Sequence, residues 1–225
     1  MLDSSGNSCQ VVLSQDQEIL AIRNSTELNH GPILLSLINE VMESAHLSLL
    51  EIDVLGLVNG PGSFTGLRLG AGVIQGLSVT LNKPVIAVSK LELLAAFGLK
   101  HKLAEGLLVA IKARPEEIYF AAFEVIDGRQ VRLIGNEQVG GPGELHLDAV
   151  AKKLKTWVAV GDGWSEPDKY FAEFNLPTVT VIESYQDDPT ALLTLAINKI
   201  ASGEFLKPEE VLPNYVKERL DYRKA

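Results

Sequence analysis

The chain has a single cysteine, Cys9, so no disulfide can form within it. That suits a reducing compartment. No apolar run approaches the ~18 residues a membrane span needs, and the start has no basic-then-apolar leader pattern. These absences predict a cytoplasmic protein with no membrane partner. Positive charge is also scarce: 20 Lys and Arg stand against 29 Asp and Glu, a formal net charge of −9. Phosphate contacts supply much of the affinity for nucleic acid, so this chain is not expected to grip it alone.

Ligating and nucleophilic patterns are missing as well. The four histidines, His30, His46, His101 and His146, never stand three or four apart. With one Cys, that leaves no local metal motif. There is no Gly-x-Ser-x-Gly elbow to activate a serine. What the chain does have is 225 residues, 46% hydrophobic and 22% charged, enough for one large domain or two small ones.

The most informative stretch runs from Val54 to Leu77. Val54 to Val58 is a short apolar run suited to a buried strand. Asn59-Gly60-Pro61-Gly62 is turn chemistry, and Ser63 or Thr65 can cap a following helix. That helix, over 65–81, is apolar or small almost all round, with Arg68 and Gln75 as its one strongly polar line. Gly62, Gly66 and Gly70 repeat every four residues, as do Gly72 and Gly76. Each interior glycine costs a helix roughly 1 kcal/mol against alanine, so close approach by another element is the natural reason. The approaching group is another helix, the sheet, a partner chain, or an anion at the helix N-terminus.

The loop lacks Gly-Lys-Ser/Thr, which excludes a Walker A site, and it does not match Gly-x-Gly-x-x-Gly. Asp3, Gly60, Gly62, Ser63 and Thr65 remain the candidate nucleotide or anion loop. Arg68 is either a snorkelled or salt-bridged arginine, or an ion-pair partner across an interface or to a bound anion.

Elsewhere, Cys9 to Leu13 and Glu18 to Ile22 read as a hairpin around 14–17. Pro32 opens a helix to about Ala45 whose apolar residues span an arc of about 160°, wider than a simple core stripe. Pro84 to Val88 is a buried strand, and Ser89 caps a helix closed by Gly98. After a linker over 101–106 come strands at Leu107–Ile111, Ile118–Val125 and Gln130–Ile134, with a hairpin signal at Asp127-Gly128. A helix to about Leu154, a strand at Trp157–Val160, a helix at Lys169–Phe174, a strand at Val179–Ile182 and a helix at Pro189–Ser202 follow. Strand, hairpin strands, helix, strand, helix occurs twice. The prediction is an α/β, duplicated actin-like (ASKHA) fold with mixed sheets and helices on both faces, divided into 1–100 and 106–225. An actin-like kinase places an acid at the start of each half. Asp3 suits the first, but the second has Lys112, and one acid is a poor Mg²⁺ site.

Gly60-Pro61-Gly62-Ser63-Phe64-Thr65-Gly66-Leu67-Arg68-Leu69-Gly70 closely resembles the signature of the TsaB (YeaZ) family. Asp3-Ser4-Ser5, His30, Ala113-Arg114 with Glu117-Ile118-Tyr119, and Pro213-Asn214-Tyr215-Val216-Lys217 resemble further family segments. Only two residues precede Asp3, where the family has a full first strand; the strand is short or the start is misplaced. The resemblance implies a non-catalytic dimerization subunit. It would support TsaD in threonylcarbamoyl transfer to the adenosine beside the anticodon of tRNAs reading codons that begin with A.

It also implies TsaE as an ATPase partner, a homodimer in isolation, and tRNA contact only through the complex. No cofactor would be held tightly by this chain, with ATP and a metal in the partner subunits. The metal-binding helix of TsaD carries His-x-x-x-His, whereas here Leu34 stands four after His30. The expected interface is the apolar face of the two helices: His30, Leu34, Ile38, Val41, Met42, Gly66, Arg68, Gly70, Val73 and Leu77. The rival reading is a stand-alone actin-like ATPase or small-molecule kinase. A peptidase is a third, suggested by fold association alone.

Overall fold

The computed structural model describes residues 1–26, 30–101, 103–176, 179–182 and 188–216. Among the described residues, ten strands and five α-helices follow one another as β1 (Leu2–Asp3), β2 (Cys9–Gln15), β3 (Glu18–Ser25), α1 (His30–Ser44), β4 (Leu55–Gly60), α2 (Phe64–Leu81), β5 (Val85–Ser89), α3 (Lys90–His101), β6 (Gly106–Lys112), β7 (Ile118–Ile126), β8 (Gln130–Gly140), β9 (Trp157–Val160), α4 (Asp168–Phe174), β10 (Val179–Ile182) and α5 (Pro189–Ser202). By contact the chain divides into two units: Met1–Phe97 with Gln186–Asn214, and Gly98–Tyr185 with the chain end from Tyr215.

In the first unit the sheet order is β3-β2-β1-β4-β5. The meander β1-β2-β3 is antiparallel, while β1, β4 and β5 run parallel. The strands alternate their cargo, as a two-residue period demands. Val11 and Leu13 of β2, with Leu55 and Leu57 of β4, join Leu34, Leu37, Val41 and Met42 of α1 and Ala71 and Ile74 of α2. Val12 and Val58 point to the other face and pack with Leu192 and Leu195 of α5. The sheet is therefore covered on both sides, which accounts for the near-continuous apolar reading of its central strands.

The second unit repeats the plan, with order β10-β9-β6-β7-β8. Again a three-strand antiparallel meander is followed by parallel strands. Its core closes around Trp164, whose indole N–H reaches the carbonyls of Leu108 and Val160 at 3.2 Å each. Phe120 meets Trp164 edge-on at 6.0 Å. The duplicated actin-like layout expected from the sequence is present.

Three local expectations change. No helix runs to Leu154; a short 3-10 turn at Ala151–Lys153 stands there instead. The Gln138 side chain brackets the His146 backbone, donating to its carbonyl at 2.8 Å and accepting from its N–H at 2.9 Å. Those bonds tie residue 146 to β8 and remove it from any helical ladder. Strand β8 itself runs on to Gly140, beyond Ile134. Finally, the boundary 106–225 does not hold for α5, whose Ala191, Leu192 and Leu195 belong to the core of the first unit.

Candidate partner-binding face and glycine loop

The loop after β4 is shaped by the chain itself. Gly60 and Gly62 take φ of 117° and 157°, where a side chain is strained. A cis peptide joins Gly60 to Pro61. Ser63 caps α2: its hydroxyl accepts from the Gly66 N–H at 3.3 Å. The Ser63 N–H donates to the Ser5 carbonyl at 2.7 Å, and the Leu67 N–H to the Ser63 carbonyl at 2.9 Å. Of the donors that an anion at this helix start would use, those of Ser63 and Gly66 are thus bound internally, and the Leu67 bond is the first of the helix ladder. Thr65 is exposed beside them.

The turn that follows β1 fills the notch. A Cβ on Gly62 would collide with the Ser5 carbonyl, and one on Gly66 with the Ser4 carbonyl. At Gly70 it would strike the Ser4 hydroxyl and crowd Leu2 and Leu57. The Ser4 hydroxyl donates to the Gly66 carbonyl at 2.9 Å. The repeat Gly62-Gly66-Gly70 is therefore an inward-facing notch that admits the backbone of Ser4 and Ser5. The expectation that Gly66 and Gly70 lie on a partner surface is corrected: their free space is already taken.

Asp3 lies at the bottom of this turn, buried. One carboxylate oxygen accepts from the Ser5 N–H at 2.9 Å and the Ser5 hydroxyl at 2.5 Å. The other accepts from the Lys90 ammonium at 2.9 Å, both side chains being 5% exposed. Both oxygens are thus engaged, by the turn and by the first residue of α3. Sequence reasoning missed Lys90; its only signal was a lone cation between the buried strand β5 and an apolar helix. In the second unit the corresponding Lys112 is exposed, and its N–H donates to the Asp162 carboxylate at 3.0 Å.

The predicted interface residues separate into two sets. Leu34, Ile38, Val41 and Met42 are at most 8% exposed and belong to the core of their own unit, so they are corrected from surface to core. Val73 and Leu77 are half-buried against that core. Arg68 is exposed, with its guanidinium stacked 3.6 Å over the Phe64 ring. His30 opens α1, and its side chain lies outside the described residues, as does Lys217.

A different set faces outward. On α2, Phe64, Arg68, Gly72, Gly76 and Val79 are exposed, with Phe64 at 55% and Val79 at 65%. A Cβ on Gly72 or Gly76 would meet nothing within 4 Å. Residues 68, 72, 76 and 79 recur at helical spacing, so they form one stripe. Leu35 of the neighbouring α1 is 53% exposed. The helix thus carries two glycine series on different faces: 62-66-70 admits its own chain, and 72-76 is open.

The family model for TsaD, tRNA N6-adenosine threonylcarbamoyltransferase, matches residues 22–183. The tRNA threonylcarbamoyladenosine biosynthesis protein TsaB of Haemophilus influenzae is 29% identical, over 99% of this chain and 94% of that protein. The TsaB of Escherichia coli is 27% identical over 99% and 96%. The solved structure of YeaZ from Pseudomonas aeruginosa superposes with a TM-score of 0.79 at 30% identity, covering 95% of this chain and 98% of that one. Sequence and fold agree across nearly the whole length, and the chain belongs to the TsaB (YeaZ) family of tRNA threonylcarbamoyladenosine biosynthesis proteins.

Proposed function

We propose that this chain is a non-catalytic scaffold that binds and supports a TsaD subunit while that subunit transfers threonylcarbamoyl to the adenosine beside the anticodon of tRNAs reading codons that begin with A. The observation that carries the reading is the outward stripe of α2, notched at Gly72 and Gly76 and apolar apart from Arg68, beside exposed Leu35 of α1. Two such faces pack closely where glycines let backbones approach, and paralogous chains with one fold present matching faces. The same self-similarity gives a homodimer when the chain is alone.

The proposal assigns ATP and metal to TsaD and to the ATPase TsaE, and tRNA contact to the complex. It places the chain in the cytoplasm. The rival, a stand-alone actin-like ATPase or kinase, needs a carboxylate free for Mg²⁺ at the head of the sheet. Asp3 is instead bound by Lys90 and Ser5. Reconstitution tests the reading. Threonylcarbamoylation of tRNA by TsaD, TsaE and ATP should depend on added chain, and the chain alone should neither bind nor turn over Mg-ATP. Saturable Mg-ATP binding by the isolated chain, with turnover abolished in Asp3→Ala, would establish the rival instead.

A further inference from the structure

Most lysines and arginines of the chain lie in the second unit, while its acids divide almost evenly between the two. Charge asymmetry between the parts of a chain points to a polyanionic partner. Many of the cations are already held by acids: Lys90 by Asp3, Lys199 by Glu92 and Glu204, Lys169 by Glu166, Arg132 by Glu124, and Arg23 by Glu40. Lys152, Lys153 and Lys155 differ. All three are exposed, and their ammonium groups have no acid or hydrogen-bond partner among the described residues.

Local structure accounts for both properties. Ala151 is fully buried in the core of the second unit, and Leu154 packs against that core. Those two side chains anchor the 3-10 turn Ala151–Lys153 and leave the lysines on its outer side. The turn is closed by its own backbone: the Lys153 N–H donates to the Val150 carbonyl at 3.1 Å, and the Leu154 N–H to the Ala151 carbonyl at 3.0 Å. Two acids that border the turn bond its backbone rather than its ammonium groups. The Asp148 carboxylate accepts from the Val150 N–H at 2.9 Å, and the Glu105 carboxylate accepts from the Lys155 N–H at 2.6 Å. Glu105 is fixed in turn, since its own N–H donates to the Thr156 hydroxyl at 3.0 Å.

The Cα atoms of Lys152 and Lys155 are at most ~11 Å apart. That is about one Debye length at 0.1 M salt, so the three charges act together. Lysine ammoniums are compact point charges that suit phosphate oxygens and read no base. A membrane contact would need apolar groups to insert, and Val150 is the one large apolar side chain exposed beside these lysines among the described residues.

We infer that the turn bearing Lys152, Lys153 and Lys155 is a contact for the phosphate backbone of tRNA, used when the chain is in its complex with TsaD. The inference rests on the scaffold reading above, because a net charge of −9 opposes RNA binding by the chain alone. The turn belongs to the second unit and the notched stripe of α2 to the first, so each can be altered without the other.

Filter binding of tRNA to the complex of the chain with TsaD provides the test, comparing the parent chain with the triple variant Lys152→Gln, Lys153→Gln, Lys155→Gln. The variant should unfold at the parent's temperature and bind TsaD with the parent's affinity in isothermal titration. At about 0.1 M salt its complex should hold tRNA about ten-fold more weakly, and the slope of log K against log salt should shrink by roughly 2. Equal tRNA affinity and equal slope, with TsaD binding intact, would overturn the lysine turn and leave the scaffold standing. Failure of the parent chain to bind TsaD would overturn the scaffold, and this inference with it. Equal tRNA affinity combined with lost binding to phosphatidylserine vesicles would assign the turn to a membrane instead.

Discussion

At the residue scale, groups that stand alone in the sequence are paired by the fold. Asp3 reads as a phosphate-site acid when it is taken alone, yet it is held by Lys90, 87 residues away. Removing one partner leaves the other charge buried, so Asp3→Ala or Lys90→Met should each cost about 3–5 kcal/mol in urea unfolding. Replacing both with apolar residues should cost much less than the two single changes together.

Burial sets the chemistry of two further groups. The Cys9 thiol is pushed up to about 11, first by burial and then by the Asp3 charge. It should resist alkylation in the folded chain at pH 8 and react on unfolding. Burial lowers the Met1 amine from 8.0 to about 6. The folded state then binds fewer protons than the unfolded state between those values. Its stability should be greatest above pH 8, fall as pH drops towards 6, and level off below, by at most roughly 2–3 kcal/mol. Denaturant midpoints at pH 6 and 8 check it.

At the element scale, α2 explains both what was legible and what was not. Its start, its Ser63 cap and its all-round apolar character follow from the sequence, because capping and burial leave local marks. Which glycines face inward does not, because that depends on the turn after β1, some sixty residues earlier in the chain. The two series should respond oppositely to the same change. Gly66→Ala drives a Cβ into the Ser4 carbonyl and should destabilise by about 1–3 kcal/mol. Gly72→Ala has open space and gains helix propensity, so it should stabilise by up to about 1 kcal/mol. Thermal unfolding of the two variants separates them. The helix expected before Leu154 failed for a related reason: the bonds between Gln138 and the His146 backbone are tertiary, and no local pattern announces them.

At the scale of the whole molecule, the duplicated layout was readable because each half repeats the same order of periodic segments. The placement of α5 was not, since the sequence puts it after the second half while its apolar residues complete the first. The same tertiary covering moved Leu34, Ile38, Val41 and Met42 from an expected interface into the core. On α1 and α2 the large apolar side chains left exposed are Leu35, Phe64 and Val79, the last two on the outward face of α2.

That stripe is the central claim, and affinity for TsaD tests it most directly. The chain carrying Gly72→Leu and Gly76→Leu should fold with an unchanged circular dichroism spectrum. It should bind TsaD at least about 30-fold more weakly than the parent chain in isothermal titration, because bulky side chains hold the backbones apart. Affinity equal to that of the parent chain would contradict the account.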